Sequence, residues 1–237
     1  MFLPAKAVQK LLCLTDKELL AIMTKNSERK GHCELLVLAD LLRNDLMACA
    51  MCIVSNYEAD FNLLGEWKCR GDEFPVCPEC QSPMKYRDTR QRHIRREGGV
   101  KLWGQIRRLF CRKCHRLHNE LPTNLSPHKH YEVEVIEGVV DEVVTQDDLE
   151  SEDYPCARTM ERWKLWIEHN RPFIEGYIRS VGFRLLNLGV EFLKAQESML
   201  DYLRDTFHDR ENHWLTIVNR LVYNTGASLE PWPPSAP

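Results

Sequence analysis

The sequence predicts an α+β chain, mostly helical, with one metal-clamped β-hairpin near its middle. Three observations lead there. Two Cys-x-x-Cys pairs bracket a stretch with hairpin patterning, apolar residues recur at helical spacing beyond it, and charge is sharply segregated along the chain. The 237 residues suffice for one mid-sized domain or a few small ones, and 43% hydrophobic with 28% charged residues is the composition of a globular chain.

Residues 1–70 read as a mainly helical region. Thr15, Asp16, Lys17 and Glu18 form a capping box ahead of Leu19, Leu20 and Ile22, and a second helix is expected over residues 34–51. Residues 52–67 then offer short strands before the polar turn at Arg70, Gly71 and Asp72. The most apolar window, residues 35–54, is interrupted by Asp40, Arg43, Asn44 and Asp45, so it reads as a buried helix and not a membrane span. The N-terminus carries no basic segment ahead of its apolar start and no small-residue cleavage site, which points to a cytoplasmic protein, nucleoid-associated if it binds DNA as expected below. In that compartment ten cysteines are better explained by metal ligation and buried thiols than by disulfides.

The zinc ribbon is expected over residues 71–130. Cys77 and Cys80 form one pair, Cys111 and Cys114 the other, with thirty residues between them. Two residues between thiolates let both turn onto one ion, and four thiolates complete the closed tetrahedral shell of a structural Zn2+ site, one per chain. Between the pairs lie two strands, residues 84–96 and 100–110, joined at Glu97, Gly98 and Gly99. Such arginine-rich strands bury little apolar surface, and a structural zinc supplies on the order of 10 kcal/mol in its place. Knuckles of this kind favour glycine after the second cysteine; Gln81 and His115 stand there instead. Cys13, Cys33, Cys49, Cys52, Cys69 and Cys156 read as buried or inert thiols. His115, His118, His128 and His130 read as hydrogen-bonding or phosphate-contacting groups more than as ligands.

Charge is uneven around this module. Residues 85–129 hold thirteen Lys/Arg against three acids, whereas residues 131–153 hold ten Asp/Glu and no Lys or Arg. The first block suits a polyanionic partner, the second an internal or partner contact, with a solvated helix face favoured over a divalent-ion site for its acids. Arg87, Arg90, Arg92, Arg95, Arg96, Lys101, Arg107, Arg108, Arg112, Lys113 and Arg116 are the expected DNA contacts of the ribbon.

Residues 131–170 are expected to form a helix-turn-helix. Val133, Ile136, Val140 and Val143 share one face of a first helix over 131–144. Cys156, Met160, Trp163 and Ile167 mark the buried stripe of a second, beginning near Pro155. Arg158, Thr159 and Arg162 lie off that stripe and are the expected base-reading residues. Residues 171–227 read as C-terminal helices, starting at Pro172, breaking at Gly182 and Gly189, and closing with a cap at Asn224, Thr225 and Gly226. Residues 228–237, rich in proline, read as a flexible tail.

The run of Cys111, Arg112, Lys113 and Cys114, with His118, Leu121, Pro122, Leu125, Pro127, Lys129 and Tyr131, then Thr159, Arg162 and Trp163, resembles an uncharacterised bacterial family. Its members join a zinc ribbon to a helix-turn-helix and look like products of mobile elements; the ribbon is similar to those of insertion-sequence transposases. The resemblance covers residues 74–167 and implies DNA binding linked to transposition or its regulation.

The expected function is therefore a zinc-dependent protein that binds double-stranded DNA as an accessory or regulatory factor of a transposable element. A zinc-ribbon adaptor contacting a transposase or ATPase partner is the alternative. A nuclease or transposase ranks third, because the sequence offers no phosphate-binding glycine loop and no nucleophile-base constellation.

Overall fold

The computed structural model describes residues 51–55, 60–61, 67–68, 75–96, 99–147, 155–186, 190–194, 196–207 and 213–231. The helices expected within residues 1–50 lie outside them. Met51, expected to end the second helix, instead opens a strand.

Six strands form one sheet: β1 (Met51–Val54), β2 (Asp60–Phe61), β3 (Trp67–Lys68), β4 (Met84–Arg95), β5 (Lys101–Cys111) and β6 (Leu117–Leu121). Their order is β1-β6-β5-β3-β2, with β4 also paired to β5. The expected hairpin is β4 and β5. It runs antiparallel from Arg95↔Lys101 to Met84↔Cys111, with a bulge between Tyr86 and Asp88. β5 pairs on its other side with β6, antiparallel, and with β3, parallel; β1 then adds to β6 in parallel. β6 had no sequence signal. Its LHNEL buries His118, Asn119 and Glu120, so no apolar alternation marks it.

Alternation along the hairpin decides which face is covered. Ile94, Leu102 and Ile106 lie on one face and join the main core, whereas Met84, Leu109 and Cys111 lie on the other and pack with Ile53 and Cys77 in a smaller one. Toward the hairpin tip that second face carries Trp103, 50% exposed, with the exposed Arg95 and Lys101 beside it.

Helix α1 (Val133–Val140) is shorter than expected, because Asp141 caps it and Glu142 takes a left-handed φ of 60°. Val143 falls beyond this end and is exposed, not part of the buried stripe. Helix α2 (Ala157–Leu186) runs straight through Pro172 and Gly182, where breaks were expected. An interior proline costs about 3 kcal/mol. Against that, the apolar stripe Met160, Trp163, Ile167, Ile174, Ile178, Val181 is buried throughout, each such side chain contributing about 1.5–3 kcal/mol, while Pro172 faces outward. Burial wins, and the boundary drawn between 170 and 171 falls inside one helix.

Three further helices follow: α3 (Val190–Lys194), α4 (Met199–Phe207) and α5 (Trp214–Tyr223). Asn224 caps α5 and Gly226 takes φ 86°, the cap read from the sequence. Among the described residues no helix is long and apolar enough to cross a membrane.

One core joins these parts. Cys52, Ile94, Leu121, Val133, Trp166, Leu200, Trp214 and Leu229 belong to a single buried cluster, drawn from the sheet and from both sides of the expected domain divisions. The expected tail is held at its start. Leu229 is buried, and the Asn170 side-chain amide binds both the N–H of Glu230, at 2.8 Å, and its carbonyl, at 3.0 Å. Cys156, expected in the buried stripe, is exposed ahead of α2.

Candidate metal centre and basic hairpin

The two Cys-x-x-Cys turns are built alike. After Cys77 and Cys80 the chain turns through Gln81, and after Cys111 and Cys114 through His115; both residues sit at φ 57°. In each turn the N–H of the first cysteine donates to a carbonyl five residues on, Cys77 to Ser82 and Cys111 to Arg116, both at 2.9 Å. The left-handed residue is what reverses the chain, so the positions where glycine was expected do carry the conformation that glycine favours. The first turn hangs on the start of β4, and the second links β5 to β6.

This pairing brings all four sulfurs together. They lie within 4.8 Å of one another, with Cys77 Sγ 3.5 Å from Cys114 Sγ and Cys80 Sγ 3.3 Å from Cys111 Sγ. All four cysteines are free of disulfides. A tetrahedral ion with metal–sulfur bonds of about 2.3 Å sets its thiolates about 3.8 Å apart, so the set fits a metal with small adjustments. Burial pushes the Cys77 and Cys114 thiols up, which disfavours bare thiolates there. For Cys80 burial also acts upward, but the Ser82 backbone and Cys111 outweigh it and bring the thiol down to about 6. A bound cation would supply the charge that makes four adjacent thiolates, two of them buried, tenable together.

His118 is fully buried beside this cluster, its Nε2 3.5 Å from Cys77 Sγ. Burial lowers it to about 4 and keeps the ring neutral, able to donate an N–H to the sulfur. Two of the other histidines near the second turn find aromatic partners. His130 stacks on His93 with centroids 4.2 Å apart, and His115 meets Phe110 edge-on.

The structure sorts the expected DNA contacts. Arg87, Arg90, Arg95, Lys101, Arg112, Lys113 and Arg116 are exposed on the hairpin and second turn, with Arg116 also bridging to Glu79 at 2.8 Å. Arg107 is not among them. It is buried, with Nε 2.5 Å and Nη2 2.9 Å from the Glu120 carboxylate, which also accepts the Ser55 hydroxyl at 2.6 Å. Arg108 is held bidentately by Asp88, Arg92 donates to the carbonyls of Ser126 and Lys129, and Arg96 pairs with Glu132 at 3.0 Å. These three serve the fold before any partner. On the first turns of α2, Arg158 and Arg162 are exposed and Thr159 is half-buried, while Met160, Trp163 and Ile167 point inward.

Among the described acids of residues 131–153, Glu132, Glu137 and Asp141 turn inward, whereas Glu134, Glu142 and Asp147 stay exposed. Glu137 of α1 accepts the Leu215 N–H at 2.6 Å and His213 Nδ1 at 2.6 Å. Asp141 takes Arg204 and the Trp214 indole, Glu132 takes Arg96 and Asn124, and Glu142 takes Lys164. Among the described residues the cysteines are the one cluster of His, Cys, Asp and Glu side chains placed to hold a metal.

A family model described as a domain of unknown function, DUF6431, matches residues 77–163. The matched stretch takes in all four cysteines, the hairpin, β6, α1 and the start of α2. No curated protein and no solved structure matches the chain.

Proposed function

We propose that the chain is a zinc-dependent protein that binds double-stranded DNA, serving a transposable element as an accessory or regulatory factor. The observation that carries this reading is the hairpin: Arg87, Arg90, Arg95, Lys101, Arg112 and Lys113 are exposed on a ribbon whose base is formed by the four-cysteine cluster. The chemistry of that donor set, four thiolates and no carboxylate, favours Zn2+ in a zinc-ribbon arrangement. The ion there would be structural, fixing the two turns so that the cations keep their spacing against phosphates. Helices α1 and α2 supply the sequence-reading part, with Arg158, Thr159 and Arg162 reaching base edges from the start of α2. This pair departs from a compact helix-turn-helix by its connection over residues 141–156, where that motif has a turn of three or four residues. The link to transposition rests on the sequence resemblance.

A second reading, a protein-binding adaptor, draws on exposed apolar residues along α2 and α3, namely Leu165, Phe173, Phe183, Val190 and Leu193.

A gel-shift of the metal-loaded chain on duplex DNA across a salt series separates the two. The triple reversal Arg87→Glu, Arg90→Glu, Arg112→Glu should weaken binding to all duplexes alike and flatten the salt slope by roughly one for each lost phosphate contact. Unchanged affinity and slope in that variant would leave the adaptor reading ahead.

A further inference from the structure

The open face of the hairpin near its tip carries a different chemistry from the rest of the basic surface. Residues directly opposite in an antiparallel pair share a face. Here three successive rungs are Arg95↔Lys101, His93↔Trp103 and Gln91↔Gln105. They present a cation pair, an aromatic pair and an amide pair, with no carboxylate among them. Trp103 is 50% exposed. Its ring lies 5.4 Å from His93 and is tilted 60° to it, His93 in turn stacks on His130, and Lys101 Nζ sits 4.7 Å from the centre of the indole.

A single exposed tryptophan is common on protein surfaces. The rungs around this one make it more. Cations beside it suit phosphates, the amides suit the donor and acceptor edge of a base, and an indole face suits a base plane. Bases inside a duplex already stack on each other, so such a platform is matched only by unpaired ones. We propose that this face binds single-stranded nucleic acid by stacking an unpaired base on Trp103. The inference rests on the hairpin being a nucleic-acid surface, and it adds a single-strand site to the duplex contacts above.

The test uses the full metal-loaded chain and three labelled probes read by fluorescence anisotropy: an oligothymidylate, the same strand built of abasic sites, and a duplex. Base–aromatic stacking is worth about 1–3 kcal/mol per base, so Trp103→Ala should cost roughly 5- to 150-fold on the oligothymidylate. Binding to the abasic strand and the duplex should not change, and Trp103→Phe should recover most of the loss. An equal loss on the abasic strand, or none on the oligothymidylate, overturns the proposal. The duplex arm reports separately: no duplex binding, with a Trp103-dependent oligothymidylate complex, defeats the duplex reading while this one stands.

Discussion

At the scale of single residues, Arg107 shows where counting charges stops being informative. It lies in the same basic run as Arg87 and Arg112, but its side chain is only 11% exposed and its partner Glu120 only 1%. Removing one partner of a buried ion pair strands the other, at a cost of about 3–5 kcal/mol. Glu120→Ala should therefore lower stability by that much in urea unfolding, whereas Arg87→Ala should change it by less than about 0.5 kcal/mol. Comparable effects from both would mean that Arg107 is solvated. The four cysteines, by contrast, were readable in full, because their spacing is itself the geometric requirement. The fate of Arg107 was not readable, since it depends on β6, a strand whose buried His118, Asn119 and Glu120 give no pattern. Gln81 and His115 test the turns directly. A left-handed non-glycine residue costs of order 1 kcal/mol or more, partly offset by glycine's greater chain entropy, so His115→Gly should stabilise the metal-loaded protein by up to about 1 kcal/mol.

At the scale of elements, two helices are started by carboxylates from other helices. Glu137 of α1 receives the Leu215 N–H at the head of α5, and Glu175 of α2 receives the Met199 and Leu200 N–H groups at the head of α4, at 2.9 and 3.0 Å. Each satisfies amides that a helix leaves without partners, and loss of such a cap costs about 0.5–2 kcal/mol. The two caps carry opposite pH signatures. Burial alone would push Glu175 up, but the Ser198 hydroxyl and the two amides hold it below the ordinary carboxylate range. Its contribution is present above about pH 4.5 and is lost as pH falls through the lowered value. Beside the other cap, hydrogen bonding to Glu137 raises His213 above 6.5 against the effect of burial. That contribution is fully present below pH 6.5 and is lost as pH rises through the raised value. Thermal melts across pH should show His213→Gln flattening the alkaline side and Glu175→Gln the acid side. Parallel profiles for both variants and the parent would remove the capping account. Sequence periodicity located the buried faces of α1 and α2 but could not foresee that Glu137, in a run read as solvated, would cap a helix 78 residues away, because side chain to backbone contacts at that separation leave no local pattern.

At the scale of the whole molecule, segments that composition divides are packed as one. The first cysteine turn touches the C-terminal cap: a Cβ on Gly226 would lie 3.5 Å from the Pro78 carbonyl oxygen. Cys77 and Cys111 share a small core with Ile53 of β1, and α5 packs on that same strand. Metal at the cysteines should therefore stabilise more than the hairpin. Calorimetry of the loaded protein should show one cooperative transition for this region, moving to lower temperature as a unit when a chelator strips the metal. Elemental analysis should find one zinc per chain, released by Cys77→Ser or Cys114→Ser. A hairpin that melts alone, with the helical signal unmoved, would restore separate domains. Short local patterns imply separate modules when the residues joining them, here Cys52, Leu121 and Leu229, are scattered along the chain.

The side-chain amide of Asn224 binds both backbone groups of Val54, its Oδ1 accepting the N–H and its Nδ2 donating to the carbonyl, each at 2.8 Å. It does for β1 what a neighbouring strand would do. On the hairpin side, β4 meets residues 130–132 at Arg95 and otherwise presents Lys85, Arg87 and Arg90. Among the described residues, Asn224 thus closes the end of β1 at Val54, and the outer side of β4 carries cations that repel a second copy. Substituting Asn224 with leucine would unblock an apolar strand whose sequence is Met-Cys-Ile-Val, and its first symptom would be insolubility, arising from edge-to-edge aggregation of chains that are still folded.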